Sequence, residues 1–74
     1  SDTGNATNTM LAISVHRLQQ QEPFYLDVLL AETEKNYIES ALRLTGGNVA
    51  QAARLLGINR TTLYNRMESF AKEQ

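Results

Sequence analysis

The segment from Gly47 to Tyr64 constrains the fold of this chain more than any other part of the sequence. It reads Gly-Asn-Val-Ala-Gln-Ala-Ala-Arg-Leu-Leu-Gly-Ile-Asn-Arg-Thr-Thr-Leu-Tyr. Asn48 is a good N-cap, and apolar residues follow it at the i, i+3, i+4, i+7 spacing of one helix face: Val49, Ala52, Ala53 and Leu56. Gly57 has the backbone freedom to end a helix, and Asn59 can cap the next one. We therefore predict two helices, over residues 49–56 and 60–72, around a turn of about three residues.

The second of these helices begins with polar and basic side chains. Its apolar stripe continues through Leu63, Met67 and Phe70. At about 100° per residue, the side chains on its far and flanking sides are polar or aromatic: Thr61, Thr62, Tyr64 and Asn65. Arg60 and Thr61 project from the first turn, where free N–H groups and the helix dipole favour a phosphate. A helix of this kind is suited to contact DNA.

Composition argues against several classes of function. The 74 residues, 42% of them hydrophobic, suffice for one small domain whose core is marginal for a monomer. There is no cysteine and a single histidine, His16, so we predict no metal and no other cofactor. The carboxylates have no nucleophile or metal partner at useful spacing, so we predict no catalytic residue and no enzyme. No apolar run reaches the roughly 18 residues of a membrane span, so we expect no membrane partner. The absence of cysteine fits a reducing cytosol, and we expect a bacterial, cytoplasmic and nucleoid-associated protein.

Charge is unevenly distributed along the chain. Residues 1–40 carry two basic and six acidic side chains, whereas residues 41–74 carry five basic and two acidic ones. Four of those five basic residues are arginines, which suit bidentate contacts to guanine and phosphate. The overall charge of −1 therefore does not exclude nucleic acid, although one copy is expected to bind weakly.

The segment from Phe24 to Leu44 predicts a long helix with two apolar faces, ended by Gly46-Gly47. One face carries Leu26, Leu29, Leu30, Tyr37, Ala41 and Leu44. The roughly opposite face carries Phe24, Val28, Ala31, Ile38 and Leu42. One face suffices to hold the two following helices, so we expect the second to bind another copy of the chain as a homodimer.

The alternative is that an additional helix of the same chain covers this second face. Residues 10–19 are the candidate for that helix, although Leu11, Ile13 and Val15 also alternate as a strand would. We assign residues 1–9 to a linker and 10–74 to one domain, with helices at about 10–19, 24–44, 49–56 and 60–72. Because the first residue is Ser1 rather than Met, we expect a processed, tagged or excised fragment.

The combined motifs resemble the Fis-type helix-turn-helix. They are Thr-Gly-Gly-Asn at 45–48, Ala-Ala at 52–53, Leu-Leu-Gly-Ile at 55–58 and Arg-Thr-Thr-Leu-Tyr at 60–64. The resemblance covers about Leu26 to Phe70 and implies an all-α domain of four helices. It further implies that the first two helices pair with those of a second chain and that the last two form the head that contacts DNA.

The resemblance also implies which residues contact DNA. By position, Asn59, Arg60 and Thr62 would face bases, Asn65 and Tyr64 would reach bases or backbone, and Asn48 and Gln51 would lie at phosphates. Chemistry agrees that Arg60 can pair with guanine and Asn65 with adenine. Arg54 and Arg66 are predicted phosphate contacts, with solvated surface charge as the alternative. Asn59 and Thr62 also have local structural roles as a cap and in the first turn.

Two branches of the family differ in function. The sequence motifs Gly-Gly-Asn and Arg-Thr-Thr-Leu-Tyr look more like those of the C-terminal domain of NtrC-class activators. These activators act with the nitrogen-type alternative sigma factor from enhancer inverted repeats. The alternative is the nucleoid protein that bends DNA, but its branch of the family is more basic where this sequence has Tyr64, Asn65 and Glu68. If the chain belongs to an activator, only other domains of the parent protein would bind ATP and contact RNA polymerase. A helical protein-interaction module is the remaining alternative.

Overall fold

Four α-helices make up the part of the chain that the structure describes. The computed structural model describes residues 2–73, with side chains from residue 6 onward. Within that range there is no strand, and the helices are α1 (Asp2–Gln19), α2 (Leu26–Leu44), α3 (Val49–Leu56) and α4 (Arg60–Lys72). The predicted all-α fold is confirmed, and α3 and α4 begin and end where the sequence predicts.

α1 is longer than predicted, because it begins at Asp2 rather than near residue 10. The choice between helix and strand for residues 10–19 is thereby decided in favour of helix. Residues 2–9 contain no proline and one glycine, Gly4, which costs a helix only about 1 kcal/mol relative to alanine, so nothing local stops the helix. Ser1 and Gln74 lie outside the described residues. The division into a linker and a domain at residue 10 stays a prediction.

α2 starts two residues later than predicted. Tyr25 occupies its N-cap with an extended backbone (φ −123°, ψ 106°) and makes no side-chain capping hydrogen bond. Phe24 therefore precedes the helix, and its ring lies beside the end of α1, with the Arg17 guanidinium carbon 5.2 Å from the ring centroid. A contact of this kind between a cation and an aromatic face is weakly attractive at an exposed site.

The core lies where the second half of α2 meets α3 and α4, a pair we call the head. Five apolar residues are buried there: Ile38, Ala41, Ala52, Ala53 and Leu63. Partly buried residues surround them: Leu42, Val49, Leu56, Ile58, Met67 and Phe70. The two buried alanines of α3, Ala52 and Ala53, have no side chain beyond Cβ, so α2 and α4 can approach α3 closely.

Ile38 and Leu42, which are predicted to contact a second chain, both pack on the core of their own chain. A contact of either residue with a second chain stays a prediction. Ile38 is only 6% exposed within one chain, and Leu42 packs against the same core. Conversely, Tyr37 and Leu44, predicted to hold the head, are exposed. The physical reason is helix geometry: Ile38, Ala41 and Leu42 follow the i, i+3, i+4 spacing of one side of α2, which lies between the two predicted faces. Tyr37 and Leu44 lie about 100° and 120° around the helix from Ile38.

α1 does not pack on any other helix of the described chain. Its apolar side chains stay open to solvent, and Met10, for example, is 69% exposed. An open groove of about 400 Å³ separates α1 from the start of α2, lined by Met10, Ile13, Ser14, Arg17, Leu18, Phe24, Leu26 and Leu29. The radius of gyration is 15.6 Å, against about 11 Å for a compact chain of this length. The alternative in which α1 covers the second face of α2 is therefore not observed.

Candidate nucleic-acid interface

Two asparagines and a glycine set the geometry of the head. Asn48 and Asn59 are the N-caps of α3 and α4, and their side-chain oxygens accept hydrogen bonds from the backbone N–H groups of Gln51 (3.0 Å) and Thr62 (2.7 Å). Gly57 ends α3 in the left-handed conformation (φ 70°), which favours glycine. The N–H of Ile58 then donates to the carbonyl of Ala53 (3.1 Å), which satisfies one of the last carbonyls of α3.

The turn between α3 and α4 is held against the core from both sides. Ile58 immediately precedes the cap of α4 and packs on the core, while Leu63, four residues after that cap, is completely buried. This is the spacing of a hydrophobic staple, which fixes the direction in which a helix leaves its turn. The first turn of α4 therefore has a defined position relative to α3.

The head contains an open cleft between α3 and the start of α4. Its volume is about 490 Å³, and it is lined by Ala50, Ala53, Arg54, Ile58, Asn59, Arg60 and Thr61. Small or apolar residues form part of this lining, and the four others are all predicted DNA contacts. The structure therefore brings together Arg54 from α3 and Asn59, Arg60 and Thr61 from the other side of the turn.

The positive charge at this cleft is not neutralised by neighbouring carboxylates. Arg43 and Lys72 pair with Glu39 (3.0 Å) and Glu68 (3.6 Å) on their own helices. Arg54 and Arg60 have no such ion pair among the residues that the structure describes, and both are exposed. Their guanidinium groups are thus available to phosphate oxygens or base edges.

The other predicted contacts lie around this cleft. Tyr64 and Asn65 are exposed on the next turn of α4, and Thr62 is half-buried with its N–H bound to the cap. Asn48 and Gln51 are exposed at the start of α3, and Gln51 shares a second open surface pocket with Arg54. The side-chain oxygens of Asn48 and Asn59 each accept one capping hydrogen bond, and their amide N–H groups are the donors that they can offer to DNA.

Arg66, a predicted phosphate contact, forms an ion pair with a carboxylate of α2. Its Nη1 donates to Oε1 of Glu34 at 2.6 Å, which ties α4 to α2. Sequence reasoning missed Glu34, because no local spacing rule links two residues 32 positions apart.

The described residues lack the features of a metal site and of a membrane span. They contain no group of three or more His, Cys, Asp or Glu side chains that could hold a metal ion. None of the described helices is both long and apolar enough to cross a bilayer.

Comparison with known proteins gives one family and two related regulators. The family model described as bacterial regulatory protein, Fis family, matches residues 29–70, more than half of the chain. A signal-transduction and transcriptional-control protein of Clostridium beijerinckii is 44% identical over 41 residues, which are 55% of this chain and 6% of that protein. The PTS-dependent dihydroxyacetone kinase operon regulatory protein of Escherichia coli K12 is 47% identical over 38 residues, 51% of this chain and 6% of that protein. No solved structure matches significantly.

Proposed function

Because this chain belongs to the Fis family of bacterial regulatory proteins, whose helix-turn-helix binds double-stranded DNA, we propose that it is the site-specific DNA-binding domain of a transcriptional activator. In this proposal it binds an enhancer inverted repeat as a homodimer. The domain itself is of a non-catalytic type. The activator acts with the nitrogen-type alternative sigma factor, and other domains of the parent protein hydrolyse ATP and contact RNA polymerase.

The observation that carries this proposal is the cleft between α3 and α4. At this cleft Arg60, which has no ion pair among the described residues, lies beside Thr61 at the start of α4, with Arg54 across the turn. In a helix-turn-helix, the second helix enters the major groove and its N-terminal residues contact base edges. Arg60 then pairs with guanine O6 and N7, and Arg54 contacts a phosphate. Two unpaired arginines give a small basic footprint, which favours a dedicated regulator over a protein that coats DNA.

Exposed apolar surface supports the homodimer. The chain has an accessible surface of 6277 Å², whereas a compact monomer of 8.3 kDa exposes about 4,600 Å². The excess of about 1,700 Å² exceeds the roughly 800 Å² that each partner buries in a standard interface. Many exposed large apolar side chains lie on α1 and the first half of α2, for example Met10, Leu18 and Leu26. Of the predicted dimer contacts, Phe24 lies just before α2, Val28 and Ala31 lie in its first half, and Ile38 and Leu42 pack on the core.

The sequence motifs of the head and the two matched regulators support the assignment to the activator branch. Both matched relatives are named as regulatory or control proteins, and the matched segment makes up only 6% of either one. This chain therefore spans a small part of the length of these relatives. On this proposal, an ATPase domain is encoded upstream of Ser1, and sequencing that region tests it. A parent protein without a nucleotide-binding domain would contradict the activator assignment.

The experiment that tests the proposed function is selection of duplexes from a random library by the 74-residue chain, followed by sedimentation of the selected complex. We expect an inverted repeat bound by two chains, with affinity that falls steeply as salt rises. The matched control is Arg60→Ala, which removes a predicted base contact without touching the apolar surface. Enrichment of no sequence would favour the nucleoid alternative, and an interaction insensitive to salt would favour a protein partner.

A further inference from the structure

One ion pair of the described chain joins two different helices. Arg66 of α4 donates to Glu34 of α2 at 2.6 Å, and the two side chains are 55% and 35% exposed. The pair formed by Arg43 lies within α2 and the pair formed by Lys72 lies within α4, each at i,i+4 spacing. Neither pair therefore constrains how one helix lies relative to another. The Arg66–Glu34 pair therefore has a structural consequence that the other two lack.

The pair lies at a sparsely packed junction. Glu34 and Arg66 border an open cleft of about 150 Å³, together with Tyr37, Ile38, Leu56 and Ile58. The contact of α2 with α4 is the smallest of the three contacts among α2, α3 and α4. The apolar side chains of the core attract each other without a strong directional preference, whereas a charged hydrogen bond is directional.

α4 turns Arg66 away from the proposed DNA-binding side chains. Relative to the buried Leu63, Arg66 is about 60° around the helix on one flank, and Arg60 is about 60° around it on the other. Arg60 lines the cleft between α3 and α4, while Arg66 reaches back to α2. The two arginines of α4 thus have different surroundings, and only one of them is free for DNA.

We propose that Glu34 is a positioning residue for DNA recognition: by binding Arg66 it sets the orientation of α4 relative to α2. This inference rests on the proposed homodimer, in which α2 belongs to the dimer body and α4 enters the groove. The angle between them then sets how far apart two copies of α4 lie, and hence which spacing of half-sites the dimer accepts. Arg66 acts through this pair and is not a phosphate contact.

The test compares inverted repeats whose central spacer is varied by single base pairs, together with a duplex that carries one half-site. Affinities are measured by fluorescence anisotropy, and folding is checked by thermal melting. Wild type is expected to prefer one spacing. Glu34→Gln should reduce the ratio between the best and the adjacent spacings by about threefold, as expected for loss of one partly exposed ion pair. It should leave binding to the half-site unchanged within about twofold.

Controls separate this role from ordinary surface charge. Glu39→Gln removes an ion pair within α2 and should leave the spacing preference unchanged. Arg66→Gln should reproduce the effect of Glu34→Gln, and the double variant should be no worse than either. The exchanged pair Glu34→Arg with Arg66→Glu should restore the preference in part, which a purely local loss of charge would not do.

Four results would overturn the proposal. If Arg66→Gln weakens binding to the half-site and Glu34→Gln does not, Arg66 contacts DNA directly. If Glu34→Gln tightens that binding and steepens its salt dependence, the carboxylate merely competes with phosphate for Arg66. If both variants keep the wild-type spacing preference, the pair does not position α4. If wild type shows no spacing preference and no gain from a second half-site, the homodimer fails as well.

Discussion

Replacing Arg60 with alanine separates base recognition from general attraction to DNA. Arg60 is the first residue of α4, it is exposed, and it forms no ion pair among the residues that the structure describes. Arginine and alanine differ by only a few tenths of a kcal/mol in helix propensity, so Arg60→Ala should hardly change the free energy of unfolding. Any large effect on affinity then belongs to the DNA contact.

The expected magnitude follows from one bidentate contact in each head. Pairing of an arginine with guanine is worth about 1–3 kcal/mol of discrimination, or about 5- to 150-fold per half-site. For two half-sites the loss in binding free energy is about 2–6 kcal/mol. Because competing sequences lack that guanine, the variant should also lose most of its preference for the selected site.

Arg54→Ala is the matched control, since Arg54 lines the same cleft and likewise forms no ion pair within the described part of the chain. It should weaken binding to all duplexes alike and lower the slope of log K against log salt by about one per head. Both variants are titrated against the selected site and a scrambled duplex at several salt concentrations. If Arg60→Ala and Arg54→Ala weaken both duplexes to the same extent, the assignment of base recognition to Arg60 is wrong.

Three further predictions concern the core, the cap of α4 and the shape of the bound DNA. Ile38→Ala should lower the free energy of unfolding by about 2–5 kcal/mol in urea denaturation, because Ile38 is only 6% exposed. Val28→Ala, at a position that is 53% exposed, should mainly weaken association of two chains. The reverse outcome would indicate that Ile38 contacts the second chain. Asn59→Ala removes the acceptor for the Thr62 N–H and should cost about 0.5–2 kcal/mol of stability, while Asn59→Asp keeps the cap and tests the amide donor in DNA titrations. DNA should bend towards a compact dimer whose recognition helices lie closer than about 34 Å, at a cost of about 1–6 kcal/mol, and a circular-permutation gel without a bend would contradict this.

The helix-turn-helix was predictable from the sequence because the interactions that delimit it are local. Asn48 and Asn59 cap a backbone N–H three residues later, and Gly57 ends α3 through its own backbone angle. Each of these features acts within one helical turn, so a single stretch of residues contains the whole cause. The exposed polar start of α4 follows from the same periodicity, which buries Leu63 and leaves Arg60 and Thr61 outside.

The tertiary structure decided what local rules cannot. Both faces of α2 are apolar, so periodicity alone could not tell which one meets the head, and the head in fact uses the second half of α2, including Ile38 from the face assigned to a partner. The physical reason is that Ile38, Ala41 and Leu42, at i, i+3 and i+4, share one side of α2 that lies between the two predicted faces. Arg66 and Glu34 are 32 residues apart, and only the packing of α4 against α2 brings their charges within 2.6 Å. A helix boundary depends on neighbours in sequence, whereas the partner of a side chain depends on neighbours in space.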